Sequence, residues 1–295
     1  MKLLAEYIMR GRLQAMLVAS TLAMLSLIIA PLSVLSSGAV ALVTLRKGAY
    51  EGLIILLCSG LAAVALATLI SVPYLFIALY VLVLWLPIWL IAIVLREGRH
   101  ISLAIQIAVL IGILCVIGYY IVNADPASMW EQVMTKMIPA NAPVDDAKHM
   151  VSLLSPYMTG VAAAGGVFGM SLGLFLGRWW QAILYNPGGF RQEFLALRMP
   201  QAIAVASLAV IAAATFSSGI ISQIAWNSAI LLFVLYIFVG IAVLHTLFSG
   251  MKIGQFAVPM FYITLFLIPH CLFPVALVGF SDTWLDIRKR TLNQN

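Results

Sequence analysis

Apolar residues occupy this chain in long unbroken blocks. Residues 13–45, 52–95, 101–124, 150–177, 199–251 and 253–281 contain no Asp, Glu, Lys or Arg. The hydrocarbon core of a bilayer is ~30 Å thick and takes ~20 apolar residues per helix. The blocks therefore predict spans at 13–30, 34–45, 52–71, 74–95, 101–122, 154–177, 200–221, 226–248 and 254–280. The second is too short to cross alone. Pro31 and Ser36-Ser37-Gly38 read as a break between it and the first, and broken backbone at membrane depth must be buried in protein or line a cavity. Barrel strands would instead show ~10-residue segments of alternating polarity. The expected fold class is all-α, a polytopic transmembrane helical bundle of about 8–9 spans.

The few charges then give a topology. With a cytoplasmic N-terminus and 34–45 crossing, one side receives Lys2, Arg10, Arg12, Arg46, Lys47, Arg96, Arg99, Arg178, Arg191, Arg198 and Lys252. The other receives only Lys136 and Lys148, with Asp125, Glu131, Asp145 and Asp146. That is a positive-inside pattern, and it predicts a multi-pass protein of the bacterial inner (plasma) membrane. Nine crossings would leave Arg288-Lys289-Arg290 outside. Pro269 and Pro274 offer a remedy, breaking 254–280 into a hairpin or re-entrant pair that returns the tail inside.

Segment 124–150 is the longest polar stretch. Ser128 and Glu131 fit a capping box. Met129, Trp130, Val133, Met134, Met137 and Ile138 fall on one helical face. The segment reads as an external amphipathic helix on the membrane surface, either an anchor or a lid over an outward-facing pocket.

Composition narrows the class further. Of 295 residues, 64% are hydrophobic and 9% charged, against about 25% charged in soluble domains. The chain thus reads as one integral membrane domain, 1–295, in a lipid bilayer. The net charge of +6 is spread beside spans, so it marks topology and not a nucleic-acid partner. The apolar run from Leu13 to Ala30 exceeds a signal-peptide core and reads as a retained span. Cys58, Cys115 and Cys271 lie in apolar blocks without CxxC spacing, as small buried hydrophobes; no metal site is expected.

Small residues recur where helices could meet. Gly165, Gly169, Gly173 and Gly177 form one row and Ala15, Ala19 and Ala23 another, each suited to close helix packing within the chain or against a partner. Arg178-Trp179-Trp180 resembles an interfacial anchor. Phe190, Phe194 and Leu197, with Arg191 and Arg198, suit the inner surface, touching anionic lipid or a cytoplasmic partner.

Ionisable groups inside spans are few. His245 and His270 are the clearest, with Tyr80, Tyr119, Tyr120, Tyr236 and Tyr262 as weaker candidates, and an intramembrane ionisable residue is a functional candidate by default. Gln106, Asn123, Gln223 and Asn227 either line a cavity or face interfacial water. Gln106, Tyr236, His245 and His270 are the candidate substrate-binding set. No Asp or Glu lies at membrane depth, which disfavours ion-coupled transport. Walker, HExxH and GxSxG motifs are absent from the sequence. No catalytic residue, cofactor or enzymatic activity is expected.

Asn227, Leu235-Tyr236, Gly240-Ile241-Ala242-Val243-Leu244-His245 and Gly279-x-x-Asp282-x-x-x-Asp286-x-Arg288-x-Arg290, with Arg46-Lys47-Gly48 and Glu51-Gly52, resemble the YybS-like family of uncharacterised bacterial membrane proteins. The N-terminal half more distantly resembles the substrate-binding S components of energy-coupling-factor vitamin transporters. That resemblance implies that Ala15-x-x-x-Ala19 docks a membrane coupling subunit. Two functions follow as expectations: small-molecule uptake through a pocket between helices, or a non-transporting scaffold or assembly factor. A third, a membrane enzyme on lipid or isoprenoid, would rest on Glu51, Asp282 or Asp286.

Overall fold

In hydrocarbon every backbone polar group must be bonded within its own segment, which a helix achieves. A computed structural model describes residues 1–139, 143–249 and 254–288, and its regular elements there are all helices. Lys252, Lys289 and Arg290, used above for topology and resemblance, lie outside the described residues. In chain order the helices are α1 (Lys2–Arg10), α2 (Arg12–Leu25), α3 (Leu32–Lys47), α4 (Ala49–Leu69), α5 (Tyr74–Tyr80), α6 (Leu86–Gly98), α7 (Ile101–Val122) and α8 (Pro126–Thr135). They continue as α9 (Val144–Leu154), α10 (Met158–Tyr185), α11 (Gly189–Leu195), α12 (Gln201–Phe216), α13 (Gly219–Ser249), α14 (Gly254–Leu267) and α15 (Leu272–Leu285).

Among the described residues, five segments are long and apolar enough to cross a membrane: Ala49–Leu69, Tyr74–Gly98, Ile101–Val122, Asp145–Tyr185 and Gly219–Ser249. Phe256–Leu267 and Pro269–Leu285 make a sixth if counted as one span, bent by 117°. Arg12–Leu25 and Gln201–Phe216 are apolar but shorter. The all-α polytopic class holds, with several spans redrawn. The chain bends at 268–269, within the stretch that Pro269 and Pro274 are expected to break into a hairpin or re-entrant pair; Pro274 sits inside α15 without breaking it. The last long span begins at Gly219, not at 226.

The chain forms two compact units. Unit 1 comprises Met1–Ala108 and Gly166–Leu197, and unit 2 comprises Val109–Gly165 and the described part of 198–295.

In unit 1, α3 is buried on all sides from Ser36 to Leu45, as a helix with small or apolar residues all round must be. Ser36-Ser37-Gly38, expected as a break, is instead helical and fully buried; the chain breaks earlier, over 26–31. Ser36 Oγ donates to the Ala19 carbonyl at 2.7 Å and accepts from Trp85 Nε1 at 3.1 Å. Ser37 returns its proton to Ser33 in the same helix at 2.9 Å, which spares the hydroxyl an unpaired burial. Trp85 ends a π-helical segment, 81–85, closed by the Leu86 N–H bonding Val81. Two residues on, Pro87 has no N–H to offer an α-helical register.

The glycine row proves divided. A Cβ at Gly173 would strike Ser37 and Ile88, and one at Gly177 would lie 2.7 Å from Ala41 Cβ and 3.0 Å from the Gly38 oxygen. At Gly165 and Gly169 it would meet nothing within 4 Å. Gly177→Val should therefore cost about 1–3 kcal/mol by overpacking, whereas Gly169→Ala should hold or raise stability, since alanine favours helix. Thermal unfolding of the two variants in one detergent checks this; equal midpoints would refute the packing described.

Ala15 and Ala19 are buried, and α2 packs on α3 and α4. Their small side chains serve internal contact, so a partner cannot reach them without opening the unit. Trp180 is fully buried beside Gly38, not interfacial, while its neighbour Trp179 is partly exposed; consecutive helical residues point ~100° apart. Phe190 and Phe194 of α11 close on Phe175 of α10, with ring centroids 6.0 and 5.5 Å away. Leu197 is buried too. This apolar face thus finds a protein partner in place of the lipid surface expected for it.

In unit 2, α13 packs along α12 and α15. Gly240 of α13 and Gly279 of α15 make the closest approach. A Cβ on Gly240 would strike the Val275 backbone, and one on Gly279 would lie 3.0 Å from Gly240 Cα. Asn227, expected in a cavity or at interfacial water, is fully buried. Its Oδ1 accepts from the Gly160 N–H, and its Nδ2 donates to the Pro156 carbonyl at 2.8 Å and the Gln223 carbonyl at 2.7 Å. Gly160 N–H and Pro156 C=O are spaced as an ordinary i→i−4 pair, so the amide inserts between the two and satisfies an orphan donor of the helix start. Gly160 is required because a Cβ there would sit 2.7 Å from Asn227 Cα.

The surface segment exists but starts earlier than the capping box implied. Asp125, not Ser128, caps α8, accepting from the Ser128 N–H at 3.1 Å with Pro126 in the first turn. Asp before Pro is a stronger start signal than Ser-x-x-Glu. Trp130 Nε1 donates to Thr159 Oγ1 at 2.9 Å, while Met129, Val133 and Met137 remain exposed. The helix therefore keeps an apolar face of the kind that lies in a membrane interface.

Candidate functional site

The four candidate binding residues do not converge. Gln106 stands half-buried on the unit 1 part of α7, while Tyr236, His245 and His270 belong to unit 2. On α13, His245 follows Tyr236 by nine residues, about 13.5 Å along the axis and on the opposite face. His245 Nε2 lies 3.0 Å from Tyr262 Oη of α14 and its ring meets Phe261 edge-on. His270 is exposed in the bend before α15.

Tyr236 lines a cavity. The turns of α13 before the Gly240–Gly279 contact, together with α12 and α15, border an open-sided cavity of about 280 Å³, at whose mouth Leu208, Ile211, Phe273 and Leu277 are exposed. Phe233, Tyr236, Phe273 and Phe280 give the aromatic wall, with small Ala229 and Ala276 leaving the room. Tyr236 and Phe280 meet edge-to-face at 5.0 Å, and Phe233 stacks on Phe273 at 6.3 Å. The polar groups of the lining are Ser207 and Tyr236, whose hydroxyl oxygens are 3.3 Å apart. Ser207 gives its own proton to the Ile203 carbonyl at 2.8 Å, so the phenol is the donor of the pair. The oxygens then retain lone pairs only. The cavity can seat an apolar body along its aromatic wall and accept one or two hydrogen bonds from a hydroxyl or amine.

Two ion pairs stand at the end of α15. Arg198, just before α12, donates through Nη2 to Asp286 Oδ1, and this hydrogen bond raises the guanidinium above its ordinary value against a smaller desolvation. Arg288 bonds Asp282 Oδ2 at 3.2 Å through Nε and 2.7 Å through Nη2, both residues being at most 4% exposed. Glu51 is likewise held by Arg12, at 2.9 and 2.5 Å. The three acids that an enzymatic reading would need are thus engaged in ion pairs. Among the described residues no cluster of three His, Cys, Asp or Glu is placed to hold a metal.

Sequence reading reached Tyr236 but missed Ser207, Phe233, Phe273, Phe280 and the Gly240–Gly279 contact. A usable signal existed: aromatics at i, i+3 on one span and i, i+7 on another, beside a glycine in each.

Residues 190–283 match a family model, DUF2232, described as "Predicted membrane protein". The match runs from α11 through most of α15 and contains the whole cavity. No curated protein and no solved structure matches the chain. Over about a third of its length the chain is thus similar to a family of membrane proteins without an assigned activity, and it is itself a membrane protein with several apolar helices in a lipid bilayer.

Proposed function

We propose that unit 2 binds a small, largely apolar molecule carrying a hydroxyl or amine, and that the protein serves its uptake across a bacterial inner membrane, with the N-terminus cytoplasmic. What supports this is the aromatic-lined cavity between α12, α13 and α15, with its acceptor-only polar corner, inside the family-matched region. The orientation rests on the positive-inside distribution of Lys and Arg. Energy would come from a separate subunit, as in the S components that the N-terminal half resembles. Since Ala15 and Ala19 are covered by α3 and α4, such a subunit would dock elsewhere. This reading assigns no catalytic step. The scaffold reading has one observation in its favour: Gly165 and Gly169 present backbone to open space, the kind of face on which a foreign helix packs closely.

Native mass spectrometry of protein gently extracted from its own membrane tests the choice. Wild type should retain a small molecule that Ala276→Phe, which fills the cavity, loses. Tyr236→Phe, which removes the corner's phenolic oxygen, should weaken retention by about fivefold, one hydrogen bond being worth ~1 kcal/mol. A wild-type cavity that is empty, with a protein partner retained, would discard uptake in favour of the scaffold.

A further inference from the structure

A second cavity, of about 220 Å³, lies in unit 1 where α3, α6 and α10 end, against α11. It is lined by Leu45, Leu95, Gln181, Arg96, Arg99, Arg178 and Glu193. Three guanidinium groups thus line it with one carboxylate, and with Glu97 beside Arg96 counted as well one positive charge is left over. Those charges are not equally engaged. Arg178 is bidentate with Glu193 and reaches Gln181 at 3.1 Å. Arg96 Nη1 donates to the Leu45 carbonyl at 2.8 Å, while its Nε is 3.6 Å from Glu97. Gln181 Nε2 donates to the same carbonyl at 3.3 Å. These two donors cover the open C-terminal end of α3, whose dipole would otherwise repel an anion. The side chain of Arg99 makes no hydrogen bond or ion pair among the described residues.

Arg99 also stands in the left-handed region, φ +56°, at the cap of α6, where glycine is the usual residue. The volume is below that of pockets for drug-sized ligands, which suits a compact anion.

We infer that this cavity binds a phosphate oxyanion through Arg99 and the free nitrogen of Arg96, with the Arg178–Glu193 pair as its fixed wall. Planar guanidinium forks match phosphate in geometry and charge, and basic pockets between transmembrane helices hold lipid headgroups. The anion is either the phosphate of an anionic phospholipid or free phosphate.

Full-length wild type, Arg99→Gln, Arg99→Gly and, as a control, Lys148→Gln, exposed in α9 of unit 2, are compared in two arms. In one, protein from mixed phosphatidylcholine–phosphatidylglycerol vesicles is weighed by native mass spectrometry. In the other, inorganic phosphate is titrated against chloride at constant ionic strength in phosphatidylcholine alone, with thermal stability as readout. Arg99→Gly relieves the backbone conformation while removing the charge, so weakened binding in both Arg99 variants cannot be a folding effect. The expected result is at least about tenfold weaker binding in both Arg99 variants, a charge-assisted bond being lost, with Lys148→Gln unchanged. Loss of retained phosphatidylglycerol identifies a lipid phosphate; loss of the phosphate-induced shift alone identifies free phosphate. Wild type showing neither effect, or both Arg99 variants keeping them, overturns the site.

Discussion

Gly240→Leu is expected to leave no folded unit 2. The full-length protein, tagged and followed by fluorescence-detected size exclusion, should move from a single symmetric peak to aggregate. A side chain at this position is driven into the Val275 backbone, and a backbone cannot rotate aside as a flexible side chain does. In water such a contact would draw on hydrophobic burial; between membrane helices it depends on close backbone approach itself. Even Gly240→Ala should exceed the ~1–3 kcal/mol usual for overpacking. Gly165→Leu, on a face where nothing lies within 4 Å, should leave the elution peak in place. If both leucine variants elute alike, the α13–α15 contact is wrong.

The second large effect concerns the buried ion pair. Arg288→Met should destabilise by about 3–5 kcal/mol, because it strands the Asp282 carboxylate without its counter-charge. Asp282→Leu should also destabilise, by removing the carboxylate that Arg288 bonds through Nε and Nη2. The double variant should recover most of the loss, since two apolar groups leave no charge buried. A double-mutant cycle from chemical or steric-trap unfolding reads the coupling. Additive losses would mean that the two residues act separately.

How far the sequence spoke for itself depended on which penalty was at stake. Burying a charge in hydrocarbon is so costly that the spans around 52–71, 74–95 and 101–122 were legible from missing charges alone. Where the penalty was smaller, reading failed. Ser36-Ser37-Gly38 looked like a break because small polar residues often end helices, yet their hydroxyls find carbonyls on α2 and on α3 itself. Asn227 looked like an interfacial residue because nothing in its own span announces Gly160 and Pro156, some seventy positions earlier. Trp180 looked like an anchor beside Trp179, though neighbouring residues on a helix face different ways. The cavity was least legible of all. It is defined by three helices whose apolar residues read identically whether they face lipid, core or void, so only Tyr236 carried a mark.

The enclosure of α3 bears on how the chain enters its membrane. Sixteen residues at 1.5 Å each span about 24 Å, short of the ~30 Å hydrocarbon core. Ser36, Ser37 and Thr44 lower its apolarity further, and all three are buried. A segment of this length and polarity is a weak substrate for helix-by-helix partitioning during synthesis. Its carbonyl at Leu45 is met by Arg96 and Gln181, which are synthesised some 50 and 136 positions later. Biogenesis of unit 1 therefore ends only once α10 has been made, and a nascent chain stalled before that point holds α3 unsheltered, open to membrane quality control.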